Sequence, residues 1–579
     1  MSEPSISRPR RWDKPFSLEV GSEEELTDDM VDFLLTTPPF SQIDPAGFKR
    51  SLPLRDIMKN DVRIVGFDEG DIIVRRGDWG NSAFFILSGN VRVDLERKQT
   101  SLPDEILGRR TNKVKTLWES FSQLWQNNSE PEVREIASVG GSKSTLNTRF
   151  AHGGTRIYLP EVSSVLDKYR TARLDAGHWF GEVAALGRTS RVATVFSEGV
   201  SQLLEIRWQG IRDILRHDRE GSLKKYIEDV FRERALSAFL RTEPLFQDCP
   251  PELMQRIVDQ VEFHTFGNYD SHKPFKELLE DQNHNVDGGE PVIIQEGDYL
   301  SGIVMIRSGL ARISQRHHNG RRTIGYLSPG QIFGLDEIQS EVQSLTPVAC
   351  RAQLSAIGHL NAVLVPTPLV EEILEQNSPA KSSSKKAKKQ IRATGSQSVK
   401  LNDDILLSQL VDRHYVQATS LMVIDLDRCT RCDDCVRACA TAHDNNPRFI
   451  RHGPILNQYM IPNSCLHCAD PICMIECPTG AIFRDLAKGD IVINEQTCIG
   501  CAQCASNCPF DAIRMVDIRD ATGALIVDSK TQTPLAQATK CDLCIDQRGG
   551  PACERACPHD ALFRVDMHDA AKVEEVFAS

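Results

Sequence analysis

Long apolar runs and an export-like N-terminus are both missing from this 579-residue chain. No stretch of about 18 apolar residues occurs, so we expect no transmembrane helix and no direct membrane insertion. Arg10 and Arg11 are followed by WDKPFSLEV rather than by an apolar segment, which argues against an export signal and favours a cytoplasmic location. The net charge of −12 makes the chain as a whole a poor candidate for nucleic-acid binding, so no nucleic-acid partner is expected.

Cysteine is nearly absent from the N-terminal part of the chain. Cys249 and Cys350 are the only two that precede Cys429, and all the others of the 18 lie between Cys429 and Cys557. In a cytosolic protein, a cysteine-dense segment favours metal binding over disulfides. The contrast therefore predicts a separate C-terminal domain with its own chemistry.

Acidic residues are missing from residues 377–400, which are rich in serine and lysine. This composition predicts a flexible, solvated linker, and a basic patch for an acidic partner or nucleic acid is the alternative. A prior of roughly one domain per 150 residues fits a division on either side of it. The predicted segments are an N-terminal extension (1–40), two β-rich domains (41–241 and 242–376), the basic linker (377–400) and the cysteine-rich domain (401–579).

The two β-rich domains are predicted from an internal repeat. Residues 73–93 and 293–313 both have a strand–turn–strand pattern, with β-branched and apolar residues around Gly-Asp and Ser-Gly turns. LDAGHWFG at 174–181 and LSPGQIFG at 327–334 then match in register. One domain type is therefore expected twice in tandem.

The first copy differs from the second by an insertion at about 98–170. The insertion contains TLWESFSQLW (116–125), whose apolar spacing predicts a helix packed on its own domain or, alternatively, a docking surface for another subunit. Residues 208–241 follow the first copy with apolar residues three and four apart, which predicts one long helical flank.

Residues 180–195 of the first copy, FGEVAALGRTSRVATV, suit an anion. Gly181 lets the backbone approach a ligand closely. The first turn of a short helix near Glu182 offers free N–H groups around Val183 and Ala184. Arg191 can neutralise a phosphate with a forked, charge-assisted contact.

This segment resembles the phosphate-binding cassette of the cyclic nucleotide-binding domain, the family of the protein kinase A regulatory subunit and the catabolite activator protein. The resemblance implies a jelly-roll-like β-roll with flanking helices. It assigns the cyclic phosphate to Arg191 and the ribose 2′-hydroxyl to Glu182. Val192 stands where a hydroxyl residue can bond guanine, so cAMP is favoured over cGMP. A β-roll that has lost its ligand is the alternative.

The second copy lacks the same anchors. With Phe333 aligned to Phe180, Leu335 replaces the glutamate and Ser344 replaces the arginine. Asp336 and Glu337 would present negative charge to an anion. The second domain is therefore expected to bind no cyclic nucleotide and to have a structural or relay role.

The C-terminal cysteines form four strings of four. The first and third strings fit Cys-x₂-Cys-x₂-Cys-x₃-Cys, and three strings are followed by proline. This is the bacterial ferredoxin spacing, in which three cysteines on a tight loop and a fourth at the start of a helix serve two clusters. Zinc ribbons share the Cys-x₂-Cys pair, but zinc does not explain runs of four with a trailing proline. We therefore expect four [4Fe–4S] clusters in an α+β ferredoxin-like domain.

Residues of about 420–570 resemble the four-cluster iron–sulfur subunit family of DMSO reductase and formate dehydrogenase. The opening LMVIDLDRCTRCDDCVRACATAHD and the widened fourth string carry the resemblance. It implies that the first string pairs with the fourth, and the second with the third. The implied ligand sets are Cys429, Cys432, Cys435 and Cys557 (set 1); Cys439, Cys541, Cys544 and Cys553 (set 2); Cys465, Cys468, Cys473 and Cys508 (set 3); and Cys477, Cys498, Cys501 and Cys504 (set 4).

His443 and His467 lie within the cysteine loops. They are expected to tune a neighbouring cluster by hydrogen bonding, or to face solvent, rather than to act as ligands. We find no flavin, nicotinamide or molybdopterin fingerprint and no nucleophile–base pair. The sequence therefore predicts no catalytic residue.

Four clusters in one domain predict a chain of one-electron sites. The first hypothesis is the electron-transfer subunit of a cytosolic multi-subunit oxidoreductase, regulated by a cyclic nucleotide, with a redox partner subunit of molybdopterin, flavin or hydrogenase type. The alternative is a signalling protein in which cluster redox state modulates nucleotide binding. A transcription factor is disfavoured because no recognition helix follows the nucleotide domains. Across a flexible linker, the nucleotide domain is expected to be a control or docking input rather than part of the redox path.

Overall fold

The fold is described from a computed structural model. It covers the pair Ser5–Ile6 and, with short gaps, residues 26–94, 148–267, 290–376 and 404–577. The predicted helix at 116–125, the linker at 377–400 and Val192 lie outside the described residues. Within the described ranges, no helix combines the length and apolar character needed to cross a bilayer.

The first β-domain is a roll of two four-stranded antiparallel sheets. Phe84 and Phe85 are consecutive in one strand, and their side chains enter different cores, as the two-residue repeat of a strand requires. Phe84 faces the inside of the roll, and Phe85 faces the flanking helices. The strand orders are Ile72–Val74, Thr194–Ser197, Asn90–Asp94, Thr171–Asp175 in one sheet and Val62–Phe67, Ser201–Arg207, Ser82–Ser88, Trp179–Phe180 in the other.

The second β-domain repeats this strand plan with longer strands. One strand, Gly302–His317, covers the positions of two strands in the first domain, and Gln353–Pro366 does the same on the return path. The other strands of this sheet are Glu262–Phe266, Val292–Ile294, Gly320–Leu327 and Ile332–Phe333.

The insertion enters and leaves the first domain at paired positions. Asp94 ends one strand and Thr171 begins its neighbour in the sheet, and these two residues face each other in antiparallel register. The described end of the insertion forms a hairpin, Thr148–Ala151 with Gly154–Ile157, and a helix, Val162–Lys168. It therefore extends a hairpin without disturbing the sheet.

Helices cover the outer face of the first β-domain. Thr27 caps the first of them by accepting a hydrogen bond from the Met30 amide. Val31 on this helix and Ile57 on the next are buried in the core that also holds Ile211. The structure thus places residues 28–36 with the first β-domain rather than in a separate extension ending at residue 40. The helices are Asp28–Thr36, Leu54–Asp61 and Trp208–His217, with short 3₁₀ turns at Phe40–Gln42 and Pro45–Gly47.

The helical flank predicted at 208–241 consists of three helices. The chain turns after the first helix at Gly221, whose φ of +69° is a left-handed conformation that glycine adopts without strain. The Asp218 carboxylate then accepts from the Leu223 amide at 2.8 Å and starts the next helix. The segments are Trp208–His217, Ser222–Arg234 and Leu236–Leu240, followed by Pro244–Gln247 and Pro251–Gln260. Leu335–Ser344 and Thr367–Gln376 belong to the second domain.

The C-terminal domain is built around strand Leu421–Asp425. This strand precedes the first cysteine string and pairs antiparallel with Leu562–Val565, which follows the fourth string. The pairing brings the first and fourth strings to the same place. The other strands are Ile455–Leu456, Tyr459–Met460, Ile482–Arg484, Ile491–Ile493, Arg514–Asp517, Ala536–Thr539 and Val527–Asp528, the last paired with Ser5–Ile6. The helices are Asp404–Asp412, Asp434–Ala442, Ile472–Ile475, Gln503–Asn507, Ala552–Arg555 and Ala570–Phe577, with a 3₁₀ turn at Tyr415–Gln417.

Both β-domains share apolar cores with the C-terminal domain. Trp179 and Ile206 of the first domain lie in one core with Met474 and Ile482. Tyr326 of the second lies in another, and its hydroxyl donates to the Met567 carbonyl at 2.5 Å. The first domain is therefore in direct contact with the cysteine-rich domain, which the linker composition did not suggest.

Candidate metal centre and anion site

The cysteines of predicted set 2 come together from the first and fourth strings. Burial raises the pKa of Cys553 to about 12, and negative charge on Cys541 and Cys439 adds to the effect. Burial likewise raises the pKa of Cys439 to about 11, with contributions from Cys541 and Cys544. These thiols are thus close enough to interact electrostatically inside an apolar environment.

Predicted set 1 lies on the same half of the domain. Burial raises the pKa of Cys435 to about 11, and nearby Cys557 is among the smaller causes. The pKa of Arg451 is raised, mainly by its hydrogen bond to Asp433 and to a smaller extent by the negative charges of Cys429 and Cys435. Cys432 is exposed, so this set reaches the surface.

Sets 3 and 4 each line a cavity of their own. One cavity is bounded by all four cysteines of set 3 together with Leu466, Ile491 and Phe510. The other is bounded by all four cysteines of set 4 together with Ile482 and Ala538. Cys501 of set 4 is exposed, as Cys432 is in set 1.

The backbone of every string turns at the same position. The residue before the second cysteine has a positive φ in all four strings, at Arg431 (60°), His467 (50°), Gly500 (66°) and Leu543 (57°). A left-handed residue in a tight turn aims successive N–H groups at one point, which suits sulfur and iron–sulfur ligands. Only one of the four is glycine, so the residue types alone did not reveal the turn.

The expected place of the fourth cysteine is wrong. Cys439 lies inside helix Asp434–Ala442 rather than at its start. Cys508 follows helix Gln503–Asn507 directly. The third cysteine of each of these strings lies near the helix start instead, so the helix itself spaces the third and fourth cysteines along its length.

The donor set fits a polynuclear iron site. Two cavities are each lined by four cysteines, and many of the cysteines in the four strings are buried, so their thiolate charge requires compensation. Buried cations supply part of it. Lys540 is 2% exposed and donates to the Cys541 carbonyl at 3.0 Å. Burial acts to lower its pKa, but the negative charges of Cys465 and Cys473 outweigh this and raise the pKa. Arg564 donates to the Cys541 sulfur at 3.2 Å.

The two histidines have different surroundings. His443 Nε2 lies 3.6 Å from the Cys544 sulfur and 3.4 Å from an Asp542 carboxylate oxygen. His467 is fully buried, and its Nδ1 accepts from the Ile491 amide at 3.0 Å. His467 therefore does not face solvent, and its accepting Nδ1 fixes the proton of the neutral ring on Nε2.

In the first β-domain, Gly181 and Arg191 adjoin each other. Gly181 has a φ of +82° and leads into helix Glu182–Gly187. The Arg191 guanidinium donates to the Gly181 carbonyl at 2.6 Å and to the Ser82 carbonyl at 2.7 Å. Burial lowers the pKa of Arg191 to about 10, against the opposing charges of Glu205, Glu182 and Asp78.

Arg191 is a buried cation that donates to carbonyl oxygens. It is 6% exposed, and no carboxylate among the described residues forms an ion pair with it. Glu182 is also 6% exposed. The side chain of Ala184 is buried beside Gly80, where an added Cβ would lie 2.6 Å from the Ala184 methyl. A buried guanidinium that donates only to neutral carbonyls suits an anionic ligand.

The aligned positions in the second β-domain have other surroundings. Gly334 keeps the positive φ, at +92°, so the backbone turn is the same. Leu335, however, is buried in the apolar core of its own domain. The exposed Ser344 hydroxyl donates to the Ser340 carbonyl at 2.8 Å. The turn persists here without either charged side chain.

Comparison with known proteins assigns the cysteine-rich region. Residues 456–567 match the 4Fe-4S dicluster domain family. An iron–sulfur protein of Rhodospirillum rubrum is 37% identical over 147 residues, or 22% of this chain and 73% of that protein. The electron transport protein HydN of Escherichia coli is 34% identical over 148 residues, or 23% of this chain and 81% of that protein. The chain thus belongs to this family of iron–sulfur electron-transport proteins.

A further relative of this iron–sulfur protein is one of the subunits of the anaerobic dimethyl sulfoxide reductase of Haemophilus influenzae. It is 39% identical over 106 residues, or 15% of this chain and 51% of that protein. The resemblance stated from the cysteine strings is thereby confirmed.

The iron–sulfur protein also carries a cyclic nucleotide-binding domain. That family matches residues 289–376, the second β-domain. The regulatory domain of Toxoplasma gondii protein kinase A with cAMP aligns with 63% of this chain and 98% of that chain at 13% identity, with a TM-score of 0.19, too low to carry an argument. The matched domain is the one without the charged anchors, and Gly181, Glu182 and Arg191 lie in the other.

Proposed function

We propose that this protein is the electron-transfer subunit of a cytoplasmic multi-subunit oxidoreductase, and that a cyclic nucleotide bound to its first β-domain regulates it. The observation that carries the redox part is that two cavities are each lined by four cysteines, while cysteines of the first and fourth strings lie close to one another. Each set supplies the four thiolates that a [4Fe–4S] cluster requires. Such clusters exchange one electron each, and four of them would form a path through the domain.

The protein's own residues prepare these sites. Left-handed turns aim backbone N–H groups at the bound group. Buried Lys540 and the largely covered Arg564, whose side chain is 9% exposed, offset thiolate charge. Cys432 and Cys501 are exposed, so sets 1 and 4 offer surface points for electron entry and exit. The relatives named as parts of reductases support a separate redox partner subunit. A partner of molybdopterin type is proposed first, with a flavin- or hydrogenase-type partner as the alternative.

The regulatory part rests on Arg191. A buried guanidinium that donates to carbonyls suits the cyclic phosphate, and the adjacent buried Glu182 suits the ribose hydroxyl. The first domain has the strand plan of the second, which matches the nucleotide-binding family. We assign one nucleotide site, in the first domain, with cAMP as the favoured ligand and cGMP as the competitor.

A second candidate function is redox signalling, in which cluster state controls nucleotide affinity. The contact between the first β-domain and the cysteine-rich domain favours it, because binding coupling is reciprocal. The two functions differ in their output. Electron flow to a partner subunit identifies the first, and a partner that responds to the nucleotide-bound form without accepting electrons identifies the second.

The test uses the full chain, purified without oxygen. Four [4Fe–4S] clusters require about 16 iron atoms per chain, with matching acid-labile sulfide. Isothermal titration with cAMP is expected to show one site. An iron content near half that value would contradict four clusters, and zinc in place of iron would contradict electron transfer. The absence of cAMP and cGMP binding would contradict the regulatory part alone.

A further inference from the structure

Residues 77–81 form a short loop of the first β-domain that touches the cysteine-rich domain. The Asn81 side-chain amide donates to the Arg484 backbone carbonyl at 2.6 Å. The Arg484 guanidinium lies over the Trp79 ring, 4.5 Å from its centroid, a cation–π geometry. Any side chain at Gly489 would collide with the Trp79 ring, so the contact is close on both sides.

The other end of Arg484 holds the backbone of a predicted cluster ligand. Its guanidinium donates to the carbonyls of Cys468 at 2.9 Å, Ala469 at 3.0 Å and Gly489 at 2.8 Å. Arg484 is 1% exposed and is the largest fully buried side chain among the described residues. One buried cation therefore fixes the chain at Cys468 of set 3 and meets the first β-domain.

The same loop touches the nucleotide cassette. The Gly77 amide donates to the Arg191 carbonyl at 2.7 Å, and the Arg191 amide donates to the Asp78 carbonyl at 2.6 Å. Gly80 packs on Ala184 of the cassette helix. Residues 77–81 thus contact the proposed phosphate arginine on one side and Arg484 on the other.

A second contact makes this interface rigid. The Arg207 guanidinium donates to the Thr479 carbonyl at 2.8 Å, next to the proline that follows Cys477. It also pairs with Asp61 inside the first β-domain, at 2.8 Å from Nε. A side chain at Gly480 would collide with Arg207. A packed interface of this kind transmits small shifts instead of absorbing them.

We propose that Arg484 is a positioning residue that couples the nucleotide site to set 3, through Trp79 and Asn81. Binding of the cyclic phosphate to Arg191 shifts loop 77–81, and Arg484 carries the shift to the backbone at Cys468. This inference rests on the proposed function, since it names the cluster through which the nucleotide would act. Hydrogen bonds and charge near the ligands tune a cluster's reduction potential, so the potential of the cluster at set 3 is the expected output.

Thermodynamic linkage relates the change in cAMP affinity on reduction to the change in the cluster's reduction potential on cAMP binding. If one electron at set 3 changes cAMP affinity, cAMP changes that cluster's potential by the equivalent amount. A coupling of about fivefold, at the lower end of the usual range, corresponds to about 41 mV when tenfold is 59 mV for one electron. The electron is the only species added, and no atom is transferred.

The experiment measures both sides of this relation on the anaerobic full chain. An EPR-monitored redox titration is run with and without saturating cAMP, and cAMP affinity is measured by calorimetry on oxidised and dithionite-reduced protein. The expected result is a shift of about 41 mV in one signal and an affinity ratio of about fivefold. Failure of the protein to bind cAMP would sink the regulatory part of the proposed function. Binding with no shift in any cluster signal would overturn the coupling and leave the proposed function intact.

Matched variants locate the route. Asn81→Ala removes one inter-domain hydrogen bond on the route, and Tyr326→Phe removes one elsewhere, at the Met567 carbonyl. We expect Asn81→Ala to reduce the affinity ratio toward one while retaining cAMP binding, and Tyr326→Phe to keep the full ratio. Arg484→Lys keeps the charge but loses the forked geometry, so it should move the cluster potential even without cAMP. Equal ratios in the Asn81 and Tyr326 variants would refute the route.

Discussion

The two β-domains share a strand plan and differ in the side chain that follows one glycine turn. Gly181 and Gly334 both have a positive φ and both lead from a two-residue strand into a helix. After the turn, the first domain places Glu182 beside a buried arginine, and the second buries Leu335 in its own core. The comparison teaches that the turn belongs to the fold, whereas the side chain that follows it differs between the two domains in charge and in surroundings.

The largest expected effect on stability comes from placing a glutamate, the counterpart of Glu182, at the aligned position Leu335 of the second domain. Leu335→Glu should lower the free energy of unfolding by about 4 kcal/mol, because it removes apolar burial and places a carboxyl in an apolar core. Thermal unfolding of the full chain measures the effect, with Leu335→Met as the control that keeps the volume. An unchanged unfolding temperature would mean that the two positions are interchangeable.

Removal of the charged anchor tests the first domain. Arg191→Ala should weaken cAMP binding about 100-fold, or about 2.8 kcal/mol, through loss of a buried charge-assisted contact. Calorimetry measures it, and Ser344→Ala at the aligned position should have no effect. Arg191→Lys keeps the charge and should retain part of the affinity. Retained tight binding in Arg191→Ala would place the nucleotide elsewhere.

Substitution of the turn glycine should lower stability by a smaller amount, and by a similar amount in both domains. Gly181→Ala and Gly334→Ala should each cost about 1 to 2 kcal/mol in stability, because a non-glycine residue is strained at these φ values. Only Gly181→Ala should also weaken cAMP binding, since its Cβ would collide with the Arg191 guanidinium, whereas that of Gly334 would lie 2.7 Å from Leu300. Equal loss of affinity in both variants would contradict the single-site assignment.

Local patterns were predictable from the sequence, and contacts between domains were not. The cysteine strings and the Gly-Glu turn are short-range patterns, so residue spacing was sufficient to propose them. The turns at Arg431, His467 and Leu543 were hidden because these residues are not glycine. Trp79 packs on Arg484, and the neighbouring Asn81 forms a hydrogen bond with Arg484 across 403 positions of sequence. Predicting this contact would have required knowledge of how the two domains meet.

The exposure of Cys432 and Cys501 has a consequence for handling the protein in air. Set 2 consists entirely of buried cysteines, whereas sets 1 and 4 each present one cysteine at the surface. Oxidants reach accessible sulfur first, so iron should be lost from the two ends of the path before its interior. If the proposed path is right, brief aeration would leave a preparation that still holds iron and still shows EPR signals but exchanges electrons poorly at its surface.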